Sequence, residues 1–106
     1  MNTETIERWE RAVAAQPGND LARFSLAKAL FDAGRFADAL AHFEQALGRK
    51  PEWMVVQILL GRCHLSLGDR AAARGAFRRG LELAVAQRHE GPQAELEQLL
   101  ADLGAE

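Results

Sequence analysis

Apolar residues recur along this chain at helical spacing and never alternate long enough to make a strand. Ala39, Leu40, Phe43, Ala46 and Leu47 stand at i, i+1, i+4, i+7 and i+8, one stripe of a helix. Leu96, Leu99, Leu100 and Leu103 make another at i, i+3, i+4 and i+7, with Glu95, Glu97, Gln98 and Asp102 on the opposite side. Turn residues separate the stripes. Pro17-Gly18-Asn19 precedes a helix expected from about Asp20 to Ala33, with Asp20 as its N-cap and Gly34 as its stop. The next runs from about Phe36 to Gly48, since Pro51 bars continuation. A helix from Glu52 or Trp53 to Leu67 ends at Gly68, and Asp69 caps a longer one from about Arg70 to Gln87. A break at Glu90-Gly91 then places Pro92 at the first position of a last helix that Gly104 ends. With the N-terminal segment, the pattern predicts six helices, short loops and no strands.

The pattern also repeats. Shifted by 34 residues, Leu26 falls on Leu60, Ala27 on Gly61, Gly34 on Gly68, Ala39 on Ala73, Phe43 on Phe77, Ala46 on Gly80 and Leu47 on Leu81. One period backwards, Phe43 falls on Trp9, Ala46 on Ala12, Leu47 on Val13 and Pro51 on Pro17. The N-terminal segment therefore reads as the second half of a preceding unit.

Composition agrees with helices and adds limits. The 106 residues include 20 Ala and 15 Leu but only 4 Val, 2 Ile, 2 Thr and no Tyr, a set that favours helix over sheet. Thirteen basic and 15 acidic residues give a net charge of −2, against the strong basic excess of a nucleic-acid binder. Cys63, the one cysteine, forms no intrachain disulfide and no structural zinc site by itself. The N-terminus carries charges throughout rather than an apolar signal segment, and no apolar run reaches the ~20 residues of a membrane helix. The expectation is a cytoplasmic chain that binds neither membrane nor nucleic acid.

A 34-residue helix–turn–helix period with small residues and an aromatic at fixed offsets resembles the tetratricopeptide repeat family. Leu26-Ala27, Gly34, Phe36, Ala39, Phe43, Ala46 and Pro51 carry the resemblance in one repeat, and Leu60-Gly61, Gly68, Ala73, Phe77 and Gly80 in the next. Trp9, Ala12 and Pro17 carry it in the N-terminal half. The resemblance implies an all-α array that stacks as a right-handed α-solenoid. It divides a single domain, residues 1–106, into a half-repeat (3–19), repeat one (20–53), repeat two (54–87) and a capping helix (92–104). There are departures. Arg23 and Gln57 stand where the family has a large residue early in the first helix, a gap that Phe24, Val56 and Trp53 are expected to cover. Leu30 and His64 stand where an aromatic ends that helix's core face, Arg70 where an aromatic is usual, and Val85 where Pro is usual. The missing Pro agrees with a longer helix.

By the same resemblance, the first helices of successive repeats line a concave groove. Its positions map to Leu21, Phe24, Lys28, Phe31 and Asp32 in repeat one and to Val55, Ile58, Arg62, Leu65 and Ser66 in repeat two. An apolar strip with cations at Lys28 and Arg62 suits an amphipathic helix or an extended peptide of a partner protein. The alternative is weak self-association through the same strip or a repeat end; a further reading is that the last helix folds back and buries part of the strip. Chaperone-binding members of the family grip a C-terminal carboxylate with basic and Asn residues. Here Phe24, Lys28 and Leu59 hold those places, so that activity is not expected.

Other chemistry is sparse. Arg70, Arg74 and Arg78 form a stripe at i, i+4 and i+8, and the segment from Arg70 to His89 carries a net +4. The segment from Glu90 to Glu106 carries five acids and no base, and is expected to answer the stripe. His42, His64 and His89 lack metal-ligand spacing, and Ser25 and Ser66 lack a nucleophile motif. Cys63 reads as a small buried residue, His64 as a core or interhelix residue, and Trp9 as core, while Trp53 either staples its turn or stays partly exposed. The sequence thus points away from an enzyme, a cofactor or a metal.

Overall fold

Small and straight-chain residues fill long stretches between glycine and proline turns, and the chain forms helices there. The computed structural model describes residues 2–104. They form α1 (Asn2–Ala15), α2 (Asp20–Asp32), α3 (Phe36–Arg49), α4 (Met54–Ser66), α5 (Arg70–Ala86) and α6 (Glu90–Leu103), with no strand among them. Contacts divide the chain into two compact units, one up to Pro51 and one from Glu52. In the first, α2 packs on α1 and on α3; in the second, α5 packs on α4 and on α6.

The helix ends follow the expected chemistry with two corrections. Asn19, not Asp20, caps α2, its side-chain oxygen accepting from the Ala22 amide at 3.0 Å. Asp20 becomes the first helical residue and pairs with Arg49 at the end of α3, which also donates to the Gly18 carbonyl. A carboxylate there also suits the positive end of the helix dipole. Asp69 caps α5 as expected, accepting from the Ala72 amide at 3.0 Å. The second correction concerns the break before α6. It lies at residues 87–89, and Pro92 is the third helical residue rather than the first. No bond is lost, because the first four amides of a helix have no partner inside it.

Three helices end in the same way. Gly34, Gly68 and Arg88 each take a left-handed backbone, with φ of 79°, 86° and 59°. Each donates to the carbonyl three residues back, and the next amide donates five residues back: Arg35 to Leu30, Asp69 to His64, His89 to Ala84. This pair of hydrogen bonds closes the last turn where φ is positive, which favours glycine. Arg88 does the same work with a side chain. With no Pro at Val85, α5 reaches 17 residues against 14 in α3.

Close packing holds each helix pair. In the second unit, a Cβ built on Gly61 would stand 2.4 Å from the Phe77 ring, so α4 and α5 meet there at a distance only glycine permits. Phe77 is fully buried, as is Ala73. Leu96 and Leu103 of α6 join Ile58, Ala73, Phe77 and Ala84 in one cluster, against which Met54, Leu65, Leu81, Leu99 and Leu100 pack. In the first unit Phe43 and Ala27, at the matching positions, are also fully buried, and the Phe24 ring lies 6.4 Å from that of Phe43.

These contacts set two stability expectations, measurable by urea unfolding. Gly61→Ala drives a methyl into the Phe77 ring and is expected to destabilise by about 1–3 kcal/mol. Arg88→Gly relieves the left-handed strain and is expected to stabilise by about 1 kcal/mol. An unchanged midpoint for Gly61→Ala would disprove the close approach.

Candidate binding face

The sequence-mapped residues of the first unit lie on α2 at spacings that share one face. Leu21 is 69% exposed. Phe24, Lys28 and Asp32 line one open cleft of about 290 Å³ between α2 and α1, together with Thr5, Trp9, Ser25 and Ala29. Lys28 Nζ donates to both carboxylate oxygens of Asp32, at 2.9 and 3.0 Å. The cation and the acid on this rim therefore offset one another. Phe31 does not line the cleft. Its ring packs edge-on against Phe36 at 5.4 Å.

Sequence reasoning left Thr5, Trp9, Ser25 and Ala29 out of the site. Trp9 is half-buried rather than core. The available signal was its register with Phe43 and Phe77: those rings each have a small-residue helix before them in the chain, whereas α1 is the first described helix.

In the second unit the mapped residues part company. Val55 is 42% exposed and Ser66 is exposed. Ile58 is nearly buried in the cluster with Leu96, and Leu65 packs against that cluster. Arg62 pairs with Glu95 of α6. So α6 shares the Ile58 cluster and engages the Arg62 cation. Of the α6 acids, Glu95 goes to α4. On α5, Arg70 donates to the Leu103 carbonyl at 3.1 Å, and Arg79 pairs with Glu82 on its own helix. No described helix is long and apolar enough to cross a membrane, and no described group of three His, Cys, Asp or Glu is placed to hold a metal.

Two side chains have altered titration. Arg23 is held by polar bonds. It donates to the Pro17 carbonyl at 3.2 Å, and its guanidinium lies 3.1 Å from His42 Nδ1 on α3. Burial lowers the His42 pKa, and the Arg23 charge lowers it further. Nδ1 thus accepts from Arg23 in the neutral ring. Burial pushes the Cys63 thiol up to about 11, which keeps it protonated and inert.

An array of close-packed helical hairpins with a small-to-large residue register defines a helical-repeat protein. Tetratricopeptide repeat profiles match residues 30–103 and 4–53. The chain belongs to the tetratricopeptide repeat family. It is 37% identical over 92 residues to the TPR repeat-containing protein PA0015 of Pseudomonas aeruginosa, covering 87% of this chain and 86% of that one. It is 36% identical over 80 residues to the Hsp70-Hsp90 organizing protein of Triticum aestivum, covering 76% of this chain but only 14% of that protein's length. Among solved structures, PcrH of Pseudomonas aeruginosa in complex with the chaperone binding region of PopD is similar in fold. Its TM-score is 0.89 at 19% identity, over 96% of this chain and 77% of that one.

The His42 environment has a pH signature. A histidine whose folded pKa lies below 6.5 resists a proton that the unfolded chain accepts. Its contribution to stability is complete above about pH 6.5 and is lost as pH falls toward the folded value. An NMR titration is expected to place the His42 midpoint below 6.5, and Arg23→Gln to raise it part of the way, since burial is the larger cause. A wild-type midpoint at or above 6.5 contradicts this environment.

Proposed function

We propose that this chain is a protein–protein interaction module that docks a helix or peptide of a partner protein on the α2 face, with no chemistry of its own. The observation that carries the reading is the open cleft between α1 and α2, where Phe24 and Trp9 supply apolar surface beside the Lys28–Asp32 pair, with exposed Leu21 on the same helix face. An apolar floor with a polar rim is the arrangement that a partner segment buries with gain. PcrH, which shares the fold, is solved with the chaperone binding region of PopD, so this kind of scaffold accepts a partner segment. Phe24, Lys28 and Leu59 replace the carboxylate clamp of chaperone-binding relatives, which favours an internal partner segment over a free C-terminus.

The test starts from affinity capture in the source cell, with the partner identified by mass spectrometry and then purified. Leu21→Glu with Lys28→Glu is expected to weaken its binding by about tenfold or more in calorimetry, the loss of roughly 1.4 kcal/mol. Both side chains are surface-accessible, so helicity by circular dichroism stays unchanged. Undiminished affinity with intact helicity rejects the α2 face as the docking site.

A further inference from the structure

The cleft in the first unit corresponds to a place that a helix occupies in the second. Trp9 stands one period before Phe43 and two before Phe77. Phe77 is fully buried under Gly61 of α4, whereas Trp9 is half-buried and lines open space. The pair α1–α2 corresponds to the pair α5–α6, each a second helix packed on the helix that follows it. In the second unit α4 lies on both members of its pair. Gly61 meets Phe77, Ile58 clusters with Leu96, and Arg62 pairs with Glu95. Counted from the first helical residue, Ser25 of α2 holds the place of Glu95 in α6, and Ala29 that of Leu99. Ser25 and Ala29 both line the cleft beside Trp9. Among the described residues, the surface equivalent to the seat of α4 is therefore an open cleft in the first unit.

We propose that this cleft seats one amphipathic α-helix of a partner protein, which presents Gly or Ala to the Trp9 ring and so completes a helical hairpin with α1. The inference rests on the docking function above and narrows it to a helix of stated chemistry. The small residue faces Trp9 as Gly61 faces Phe77. An Ile or Leu stands three residues before it, as Ile58 does before Gly61. The residue after it is polar and uncharged, because Ser25 replaces the acid that Arg62 meets, and Lys28 and Asp32 already satisfy each other.

A second copy of the chain is a poor donor. The solvent face of α6 carries Glu95, Glu97, Gln98 and Asp102, which would lose hydration against Trp9 without gaining a partner. The small residues of α2 and α4, Ala27 and Gly61, are buried within their own units.

The probe is a labelled synthetic peptide of residues 52–69 carrying Arg62→Gln and Cys63→Ala, titrated with the full chain and followed by fluorescence anisotropy. Saturable binding is expected. Gly61→Leu in the peptide, or Ala29→Trp in the protein, is expected to weaken it by about tenfold or more, since either change fills the space the close contact needs. If Ala29→Trp fails to fold, Ser25→Leu obstructs the cleft from the same helix. Absence of peptide binding overturns the helix seat, while partner capture by the α2 face is still measured separately. Binding that Leu21→Glu abolishes but Gly61→Leu and Ala29→Trp leave intact also overturns the seat and leaves the docking function standing. Self-association of the chain alone in sedimentation, abolished by Ala29→Trp, makes a second copy the occupant and overturns the partner assignment.

Discussion

The contact between Gly61 and the Phe77 ring is the constraint on which the second unit depends. A side chain at residue 61 would collide with the ring, and a smaller ring would leave a void between α4 and α5. The pairing therefore works only as a matched set of one absent side chain and one large one. Its consequences reach α6. With α4 and α5 drawn together, Ile58 and Gly80 stand close enough for Leu96 to pack against both, and the terminal helix gains a fully buried anchor. Gly80 matters here in the same sense, since a Cβ there would crowd Leu96 at 3.4 Å.

The outermost helices of the two units are covered unequally. In the second unit α6 buries Leu96 and Leu103 and turns Glu97, Gln98 and Asp102 outward. Polar bonds hold it: Arg62 to Glu95 from α4, and Arg70 to the Leu103 carbonyl from α5. Exposed ion pairs contribute little to stability, on the order of 0–1 kcal/mol each. Their value here is orientation, with the buried leucines supplying most of the stabilisation. In the first unit the α1 aromatic, Trp9, lines an open cleft among the described residues.

Much of the fold was legible in the sequence because packing imposes a period on it. Six helices, the left-handed glycines at residues 34 and 68, the Asp69 cap and the longer α5 all follow from residues whose role is local or strictly repeated. Where the reading departs from the structure, a distant or backbone partner decides a role that the local pattern leaves open. Asn19 takes the cap because Arg49 claims Asp20. Arg88 takes a glycine's place, which the residue type conceals. Arg23, read as a gap in the apolar pattern, is held by His42 and the Pro17 carbonyl, partners 19 and 6 residues away.

The face for docking was half legible for a related reason. Leu21, Phe24, Lys28 and Asp32 are found by position along one helix, and the structure keeps three of them around a single cleft. Thr5, Trp9, Ser25 and Ala29 belong to that cleft through the meeting of two helices, which no single periodic stripe contains. On α4 the corresponding strip is divided: Ile58 joins the buried cluster with Leu96 and Arg62 pairs with Glu95, while Val55 and Ser66 stay exposed, so equivalent repeat positions have unequal fates. In a repeat protein, then, a position's type is set by its register, but its availability is set by whether a neighbouring helix lies on it. Trp9 and Phe77 share a register; only the helix that lies over Phe77 makes one of them core and leaves the other at a surface.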